Sequence, residues 1–139
     1  MKSSDLFRDE LIKNYLDRYV DRDAGDLIIL WERMAIQIIA LVGDGGFNSL
    51  YERSLALTQT TFPWLVDAPT AVQSAQRCAT LRLRFEEQLI AQARAANHQL
   101  LVTLTDLLAS LIGERITVVI LKMAMDSEHA EVNSTKESN

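Results

Sequence analysis

His98 is the residue of this chain whose chemistry stands out first. Of the two histidines, it is the one that lies outside the polar C-terminal segment. On a helical wheel it points nearly opposite the apolar residues of its own segment, so we expect an exposed imidazole on a rigid helix. Such an imidazole can accept a phosphoryl group or carry a proton near neutral pH. The alternative is an ordinary solvated histidine on a long helix.

The residues around His98 resemble a known phosphoacceptor motif. The string Asn97-His98-Gln99-Leu100 is similar to the histidine box of two-component kinases. This resemblance implies a histidine phosphotransfer protein that acts through His98. The string departs from that box, because neither a proline nor a basic residue follows at the usual place. It also lacks the Lys-Gly pair that marks isolated phosphotransfer domains.

Arg82 and Glu86 form a second candidate site, since they lie four residues apart on or beside an apolar stripe. Two charges in such a position must be paired or must face a cavity. One interpretation is a polar spot in a groove that binds an anion or a partner. The other is a semi-buried salt bridge at the edge of the stripe, and we favour it because structural ion pairs are common.

Aromatic residues offer a third candidate site. Trp31 and Trp64 could stack on a flat ligand, and with Phe85 they would line an apolar pocket between helices. This arrangement predicts a small-molecule sensor. Both tryptophans are flanked by large aliphatic residues, so packing in the core is the simpler interpretation.

The remaining chemistry-bearing residues do not form a catalytic or metal-binding pattern. Cys78, the single cysteine, falls on the apolar stripe, where we expect inert packing. The charged residues Asp126, Glu128, His129 and Glu131 lack the Glu-x-x-His pairs of carboxylate-bridged metal bundles. No Ser-His-Asp arrangement can be assembled. We therefore expect no metal and no cofactor, and the pattern favours a non-enzymatic protein without deciding whether it catalyses a reaction.

Charge and hydropathy exclude further classes of function. The net charge of −5 opposes binding to nucleic acid, which requires a positive surface. The most apolar segment, residues 27–42, contains Glu32, Arg33 and Gln37 and is too short and polar to span a bilayer. No secretory pattern is seen at the N-terminus, so we expect a cytoplasmic protein that does not enter a membrane.

Amphipathic helices are the elements that must position these residues. Apolar residues recur at three- and four-residue steps, and only five glycines and two prolines occur, which argues against a many-stranded protein. The segment 27–42 is apolar nearly all round and should lie in the middle of a bundle. We predict an all-α bundle of five or six helices. Their approximate bounds are 5–22, 27–42, 48 onward, 70–112 and 114–125.

Glycines and capping residues set the expected helix ends. Gly25, Gly43 and Gly113 should each end a helix, and residues 43–46 should form a flexible connection. Further expected features are an N-cap at Asp26, a capping box of Ser49 and Glu52, a compact apolar corner at Phe62-Pro63-Trp64-Leu65, and a helix start at Asp67-Ala68-Pro69-Thr70.

The segment 70–112 contains neither glycine nor proline, and one apolar stripe continues through it at three- and four-residue steps. The predicted members of the stripe are Cys78, Leu81, Phe85, Leu89, Ala93, Ala96, Leu100, Leu104, Leu107 and Leu111. A single helix of this length would measure about 60 Å, whereas a domain of this size is only about 35–40 Å across. The helix would overhang a monomer, so we predict self-association as a two-fold dimer. A break near Asn97 is the alternative.

These observations predict one helical domain over residues 1–126 and a disordered, flexible polar tail over 127–139. The leading functional hypothesis is a non-enzymatic, cytoplasmic interaction or regulatory module that binds itself and an unidentified protein partner. The alternatives are a histidine phosphotransfer protein acting through His98, and a small-molecule sensor with a pocket near Trp31, Trp64 and Phe85.

Overall fold

The structure is a computed structural model that describes residues 2–19, 23–67 and 73–138, with side chains over 7–18, 23–67 and 73–126. The described residues form five α-helices, and no strand occurs among them. The predicted all-α bundle is therefore confirmed. The helices are α1 (Lys2–Tyr19), α2 (Ala24–Thr58), α3 (Ser74–Glu86), α4 (Ile90–Ile112) and α5 (Glu114–Ser138).

The helix α2 is the centre of the bundle and packs against α3, α4 and α5. Leu30, Trp31, Met34 and Ile38 on this helix are fully buried. Burial of apolar surface is favourable, so a largely apolar helix is most stable where several neighbours pack against it, although Ile36 and Leu41 stay 60% and 52% exposed. The central place predicted for residues 27–42 is confirmed.

The start of α2 differs from the sequence-based expectation. Asp23 is the N-cap, and its carboxylate accepts a hydrogen bond of 3.1 Å from the backbone N–H of Asp26. The predicted cap at Asp26 is wrong, because an acidic residue one turn earlier already satisfies the free N–H groups. Gly25 lies in the first turn of α2 and does not end α1. Residues 20–22, the predicted end of the first helix, lie outside the described residues.

A kink at Gly43 divides α2. Its φ of 84° and ψ of 166° are a combination that essentially only glycine adopts without strain. The predicted interruption at Gly43 is confirmed, but the flexible connection over 43–46 is wrong, because the helix resumes directly at Asp44. The predicted capping box of Ser49 and Glu52 is therefore also wrong, since both residues lie inside the helix.

An apolar corner follows α2 and pins the connecting loop to the bundle. Leu65 is fully buried. Trp64 packs edge-to-face on Phe62 and on Phe85, with ring centroids 6.0 and 6.3 Å apart. The predicted corner is confirmed. The helix start predicted at Asp67–Thr70 falls mainly on residues 68–72, which lie outside the described residues.

Two helices occupy the region for which one helix over 70–112 was predicted. The helix α3 ends at Glu86, and Leu89 is extended before α4 begins. The alternative break near Asn97 is also wrong, because Asn97 is helical and fully buried. The interruption allows both halves to pack against α2, which a straight helix could not do across so small a domain. The overhang from which we predicted self-association is therefore absent.

The interruption also changes which stripe residues are buried. Leu89 in the loop is 79% exposed, and Leu111 near the end of α4 is 63% exposed, so the predicted stripe is wrong at both positions. The stripe residues that do enter the core are Cys78, Leu81, Phe85, Ala93, Ala96, Leu100 and Leu104.

Gly113 ends α4 with a φ of 98°, as predicted, and α5 follows directly. The β-branched run 116–120 is helical, also as predicted. The backbone stays helical to Ser138, where we predicted a disordered tail over 127–139. The helix can continue because residues 114–138 contain neither glycine nor proline. The flexibility of that tail and the domain limit at residue 126 stay predictions.

Candidate functional site

A cleft of about 500 Å³ opens between α1 and α4, and Leu27 of α2 contributes to its lining. Leu16 and Ala95 add further apolar surface. A cleft of this size can hold a small organic molecule. The polar lining consists of Asp9, Glu10, Lys13, Asp17, Arg94 and His98.

The helical repeat places the polar residues of the cleft in two facing rows. Asp9, Lys13 and Asp17 follow one another at four-residue steps and share one face of α1. Arg94 and His98 are four residues apart on α4. His98 faces Asp9 and Arg94 faces Asp17, so the two helices run antiparallel. The two ends of the cleft are eight residues of α1 apart, about 12 Å.

His98 lies at one end of the cleft, against Asp9. Its Nε2 atom is 2.7 Å from Asp9 Oδ1. The contact is not aligned as a hydrogen bond, and within the described residues this buried Nε2 has no hydrogen-bond partner. The side chain as a whole is 32% exposed. The prediction of an exposed imidazole is therefore wrong, because α1 packs over this part of α4.

The opposite end of the cleft carries a weaker ion pair. Arg94 Nη2 is 3.6 Å from Asp17 Oδ1, and both side chains are partly open to solvent. Glu10 and Lys13 are exposed and form no salt bridge within the described part of the chain. Exposed pairs of this kind add little stability. Breaking the Arg94–Asp17 pair therefore costs little free energy, and all four charged side chains can contact a ligand instead.

A buried arginine holds α1 in place as the outer wall of the cleft. Arg8 is 2% exposed and donates hydrogen bonds to Asp106 at 2.6 Å, Glu114 at 2.7 Å and Thr105 at 3.1 Å. Burial alone would lower the pKa of Arg8, but its hydrogen bonds to Glu114 and Asp106 outweigh that effect and raise the pKa. The guanidinium stays charged and links α1 to both α4 and α5.

The other wall of the cleft is fixed from behind by Asn97, the neighbour of His98. Trp31 Nε1 donates a hydrogen bond of 2.6 Å to Asn97 Oδ1, and both side chains are fully buried. The Asn97 Nδ2 atom has no partner among the described residues. This buried bond joins α2 to α4 at the level of His98.

Arg82 and Glu86, predicted to lie on or beside the apolar stripe, are instead exposed. Their side chains are 56% and 46% exposed, and Arg82 Nε lies 3.2 Å from Glu86 Oε2. The structure shows an ordinary surface pair one turn apart, outside the cleft. The prediction of a semi-buried pair is wrong, because the buried face of α3 passes through Leu81 and Phe85 and turns these two charges to solvent.

The aromatic residues of the predicted sensor pocket are packed against other side chains. Trp31 is fully buried and packs edge-to-face on Tyr51, with centroids 5.7 Å apart. Phe85 is also buried, and Trp64 is partly buried against it. None of the three lines the cleft between α1 and α4. A sensor pocket at these residues stays a prediction.

Cys78 is buried on α3, where the sequence predicted inert packing. Burial raises the pKa of its thiol to about 12. The thiol is therefore protonated at neutral pH and is a poor nucleophile.

Two buried arginines are the polar features that sequence reasoning missed. Besides Arg8, Arg77 is 5% exposed and donates hydrogen bonds of 2.8 Å to Asp67 and to Glu52. Its guanidinium also lies 5.9 Å from the ring centroid of Tyr51. For Arg8, the available signal was its place four residues before the buried Ile12, on the apolar side of α1.

The comparisons with known proteins leave the function to be argued from the cleft. No family model, curated protein or solved structure matches the chain. Among the described residues, no group of three histidine, cysteine or acidic side chains could hold a metal ion. None of the helices, over the same residues, has the length and apolar character needed to cross a membrane.

Proposed function

We propose that this protein is a non-enzymatic regulatory module of the cytoplasm that binds a small charged molecule in the cleft between α1 and α4. The single observation that carries the proposal is the cleft of about 500 Å³ lined by six charged or titratable side chains. No hydroxyl or thiol side chain lines it, so the lining offers groups that bind and orient a ligand but no side-chain nucleophile of those types.

The charges of the cleft favour a ligand with a positive and a negative end. Asp9 and Glu10 can bind an ammonium group at one end. Arg94, which is loosely paired, and Lys13, which is unpaired among the described residues, can bind a carboxylate or a phosphate. The ends lie about 12 Å apart, and a contact of about 3 Å at each end leaves about 6 Å between the two charged groups of the ligand. The fitting class is a small zwitterion of about dipeptide length, because two extended residues span about 7 Å.

The test is a thermal-shift and calorimetric screen of the intact chain with three groups of compounds. They are zwitterions (dipeptides and ω-amino acids), dicarboxylates and diamines. A ligand at a hundred times its dissociation constant stabilises the native state by about 2.7 kcal/mol, which raises the melting temperature by roughly 8 °C. We expect zwitterions to give the largest shift.

A matched pair of variants locates the binding. Arg94→Gln should weaken binding about tenfold, because it removes the cation nearest the negative end of the ligand. Arg82→Gln removes an exposed, ion-paired arginine outside the cleft and should leave binding unchanged. If no compound binds, or if both variants weaken binding equally, the proposal is wrong.

Phosphotransfer through His98 is the second hypothesis, and the geometry favours it less. The Nε2 atom that would accept the phosphoryl group is buried and faces the Asp9 carboxylate at 2.7 Å. A phosphoryl dianion at that place would be repelled by Asp9 and by the nearby Glu10. Incubation with labelled acetyl phosphate should give no acid-labile label. An acid-labile label on the original chain that is absent from His98→Ala would favour phosphotransfer over ligand binding.

A protein partner, expected from the sequence, belongs to the same proposal. A regulatory module has to change its contacts with another protein when its ligand binds. The measurement is binding of a purified candidate partner with and without the cleft ligand. A partner whose affinity is the same in both conditions is not regulated through the cleft.

A further inference from the structure

No element among the described residues covers an apolar strip on the outer surface of α5. Ile116, Val119 and Met123 lie on one face of the helix, and each is about half exposed. Phe7 of α1 continues the strip, since it is 50% exposed and Lys122 Nζ lies 5.7 Å from its ring centroid. Single exposed apolar side chains are normal, but four adjoining ones mark an interaction surface. We call these four residues the α5 strip.

The charges beside the α5 strip are arranged for pairing with an identical helix. Arg115 and Asp126 are both exposed and form no salt bridge within the described residues. The midpoint between them along α5 falls between Ile120 and Leu121, and Val119 and Lys122 are equally distant from that midpoint. When a second copy of α5 crosses antiparallel at this point, its Asp126 lies opposite Arg115 of the first copy. By symmetry, its Arg115 lies opposite Asp126 of the first copy. The offset of each charge from the midpoint is about 8 Å.

We infer that the α5 strip is the site at which a second copy of this chain binds, through an antiparallel, two-fold pairing of α5 with α5. A two-fold interface requires a surface that complements itself, and the Arg115–Asp126 arrangement of this face meets that requirement in charge. A parallel pairing would bring Arg115 against Arg115. The inference does not depend on the cleft, which lies between α1 and α4.

The expected dimer is weak and reversible. Four half-exposed side chains with two ion pairs form a surface smaller than that of a standard interface, which buries about 800 Å² on each partner. We therefore expect dissociation in the micromolar range. Sedimentation equilibrium of the full chain between 5 µM and 1 mM in 50 mM salt measures it directly.

Substitution at the centre of the strip tests its position. Val119→Lys places a positive charge opposite Lys122 of the second copy and should weaken association at least tenfold. Leu41→Lys is the matched control, because Leu41 on α2 is also about half exposed. It should leave association unchanged. Both side chains face solvent in the monomer, so neither substitution should unfold it, and circular dichroism should show unchanged helix content.

Charge reversal tests the antiparallel orientation. Arg115→Asp or Asp126→Arg alone should weaken the dimer about tenfold, because each replaces two attractive pairs by two repulsive ones. The double variant should recover the original affinity, and so should an equimolar mixture of the two single variants. A chain that stays monomeric to 1 mM overturns the inference. Equal effects of Val119→Lys and Leu41→Lys, or no recovery in the double variant, also overturn it.

Discussion

Replacement of Arg8 by methionine tests how α1 is attached to the bundle. The guanidinium donates hydrogen bonds to Asp106, Glu114 and Thr105, and is 2% exposed. Methionine keeps most of the aliphatic stem but removes the charge and these hydrogen bonds. In Arg8→Met, α1 keeps its apolar contacts and its two outer contacts with α4, Asp9–His98 and Asp17–Arg94, but loses the buried polar link to α4 and α5.

The loss of stability in Arg8→Met depends on how far the carboxylates of Asp106 and Glu114 can be rehydrated once the guanidinium is absent. Removing one member of a buried ion pair lowers the free energy of unfolding by about 3–5 kcal/mol when the other member stays buried. Here Asp106 is 49% and Glu114 32% exposed, so both carboxylates can be rehydrated. We therefore expect a loss near the lower end, about 3 kcal/mol. The melting temperature should fall by roughly 10 °C.

Urea unfolding followed by circular dichroism measures the loss, and hydrogen exchange by mass spectrometry localises it. Peptides from α1 should lose protection well before those from α2, because α1 detaches locally. Arg82→Met is the control, since within the described part of the chain the salt bridge of that exposed arginine is with Glu86 on its own helix. It should change the free energy of unfolding by less than about 0.5 kcal/mol. Equal losses in both variants, or unchanged exchange in α1, would refute the attachment.

Three further outcomes are expected. Trp31→Phe leaves the buried amide of Asn97 without its partner and should lower the free energy of unfolding by about 3 kcal/mol, whereas adding Asn97→Leu should restore at least 1 kcal/mol in urea titrations; no recovery would contradict the role of the bond. Gly43→Ala should lower stability by about 2 kcal/mol because of its φ of 84°, while Gly45→Ala, inside the helix and free of steric contact, should be neutral or stabilising in thermal unfolding. Equal effects would contradict the kink. Burial raises the pKa of Cys78 from 9.0 to about 12, so the folded state holds the thiol proton more tightly than the unfolded state. That stabilisation is complete below pH 9 and decreases as the pH rises toward 12, by at most about 1.4 kcal/mol per unit. Cys78→Ala should reduce the decrease between pH 8.5 and 10, and an unchanged slope would rule out this cause.

The helical architecture was predictable because residues three and four positions apart lie on the same face of a helix, so the spacing of apolar residues alone indicates helices that pack together. The central position of α2 and the stops at Gly43 and Gly113 followed from hydropathy and glycine geometry alone. The interruption between Glu86 and Ile90 was not predictable, because its residues carry no local signal to end a helix. It arises from tertiary packing, since two shorter helices cover α2 better than one long helix.

The candidate site was predicted only in part. The sequence singled out His98, which does line the cleft, but not that α1 packs against it and orients Asp9 toward its Nε2 atom. The rows of charges on α1 looked like an ordinary solvated face. Arg8 and Arg77 were missed for a related reason: an arginine beside an apolar stripe can extend to solvent or turn inward, and the position of distant carboxylates decides which.

The hydrogen bond between Trp31 and Asn97 makes the intrinsic fluorescence of Trp31 sensitive to changes in the cleft. Trp31 lies in the dry core, so its emission is set by packing and by that one bond, and Asn97 is covalently joined to His98 in the cleft wall. A ligand that displaces His98 also displaces Asn97 in the same turn of α4. In a Trp64→Phe variant, the emission wavelength and lifetime of Trp31, the one remaining tryptophan, would then report the occupancy of the cleft without an added dye.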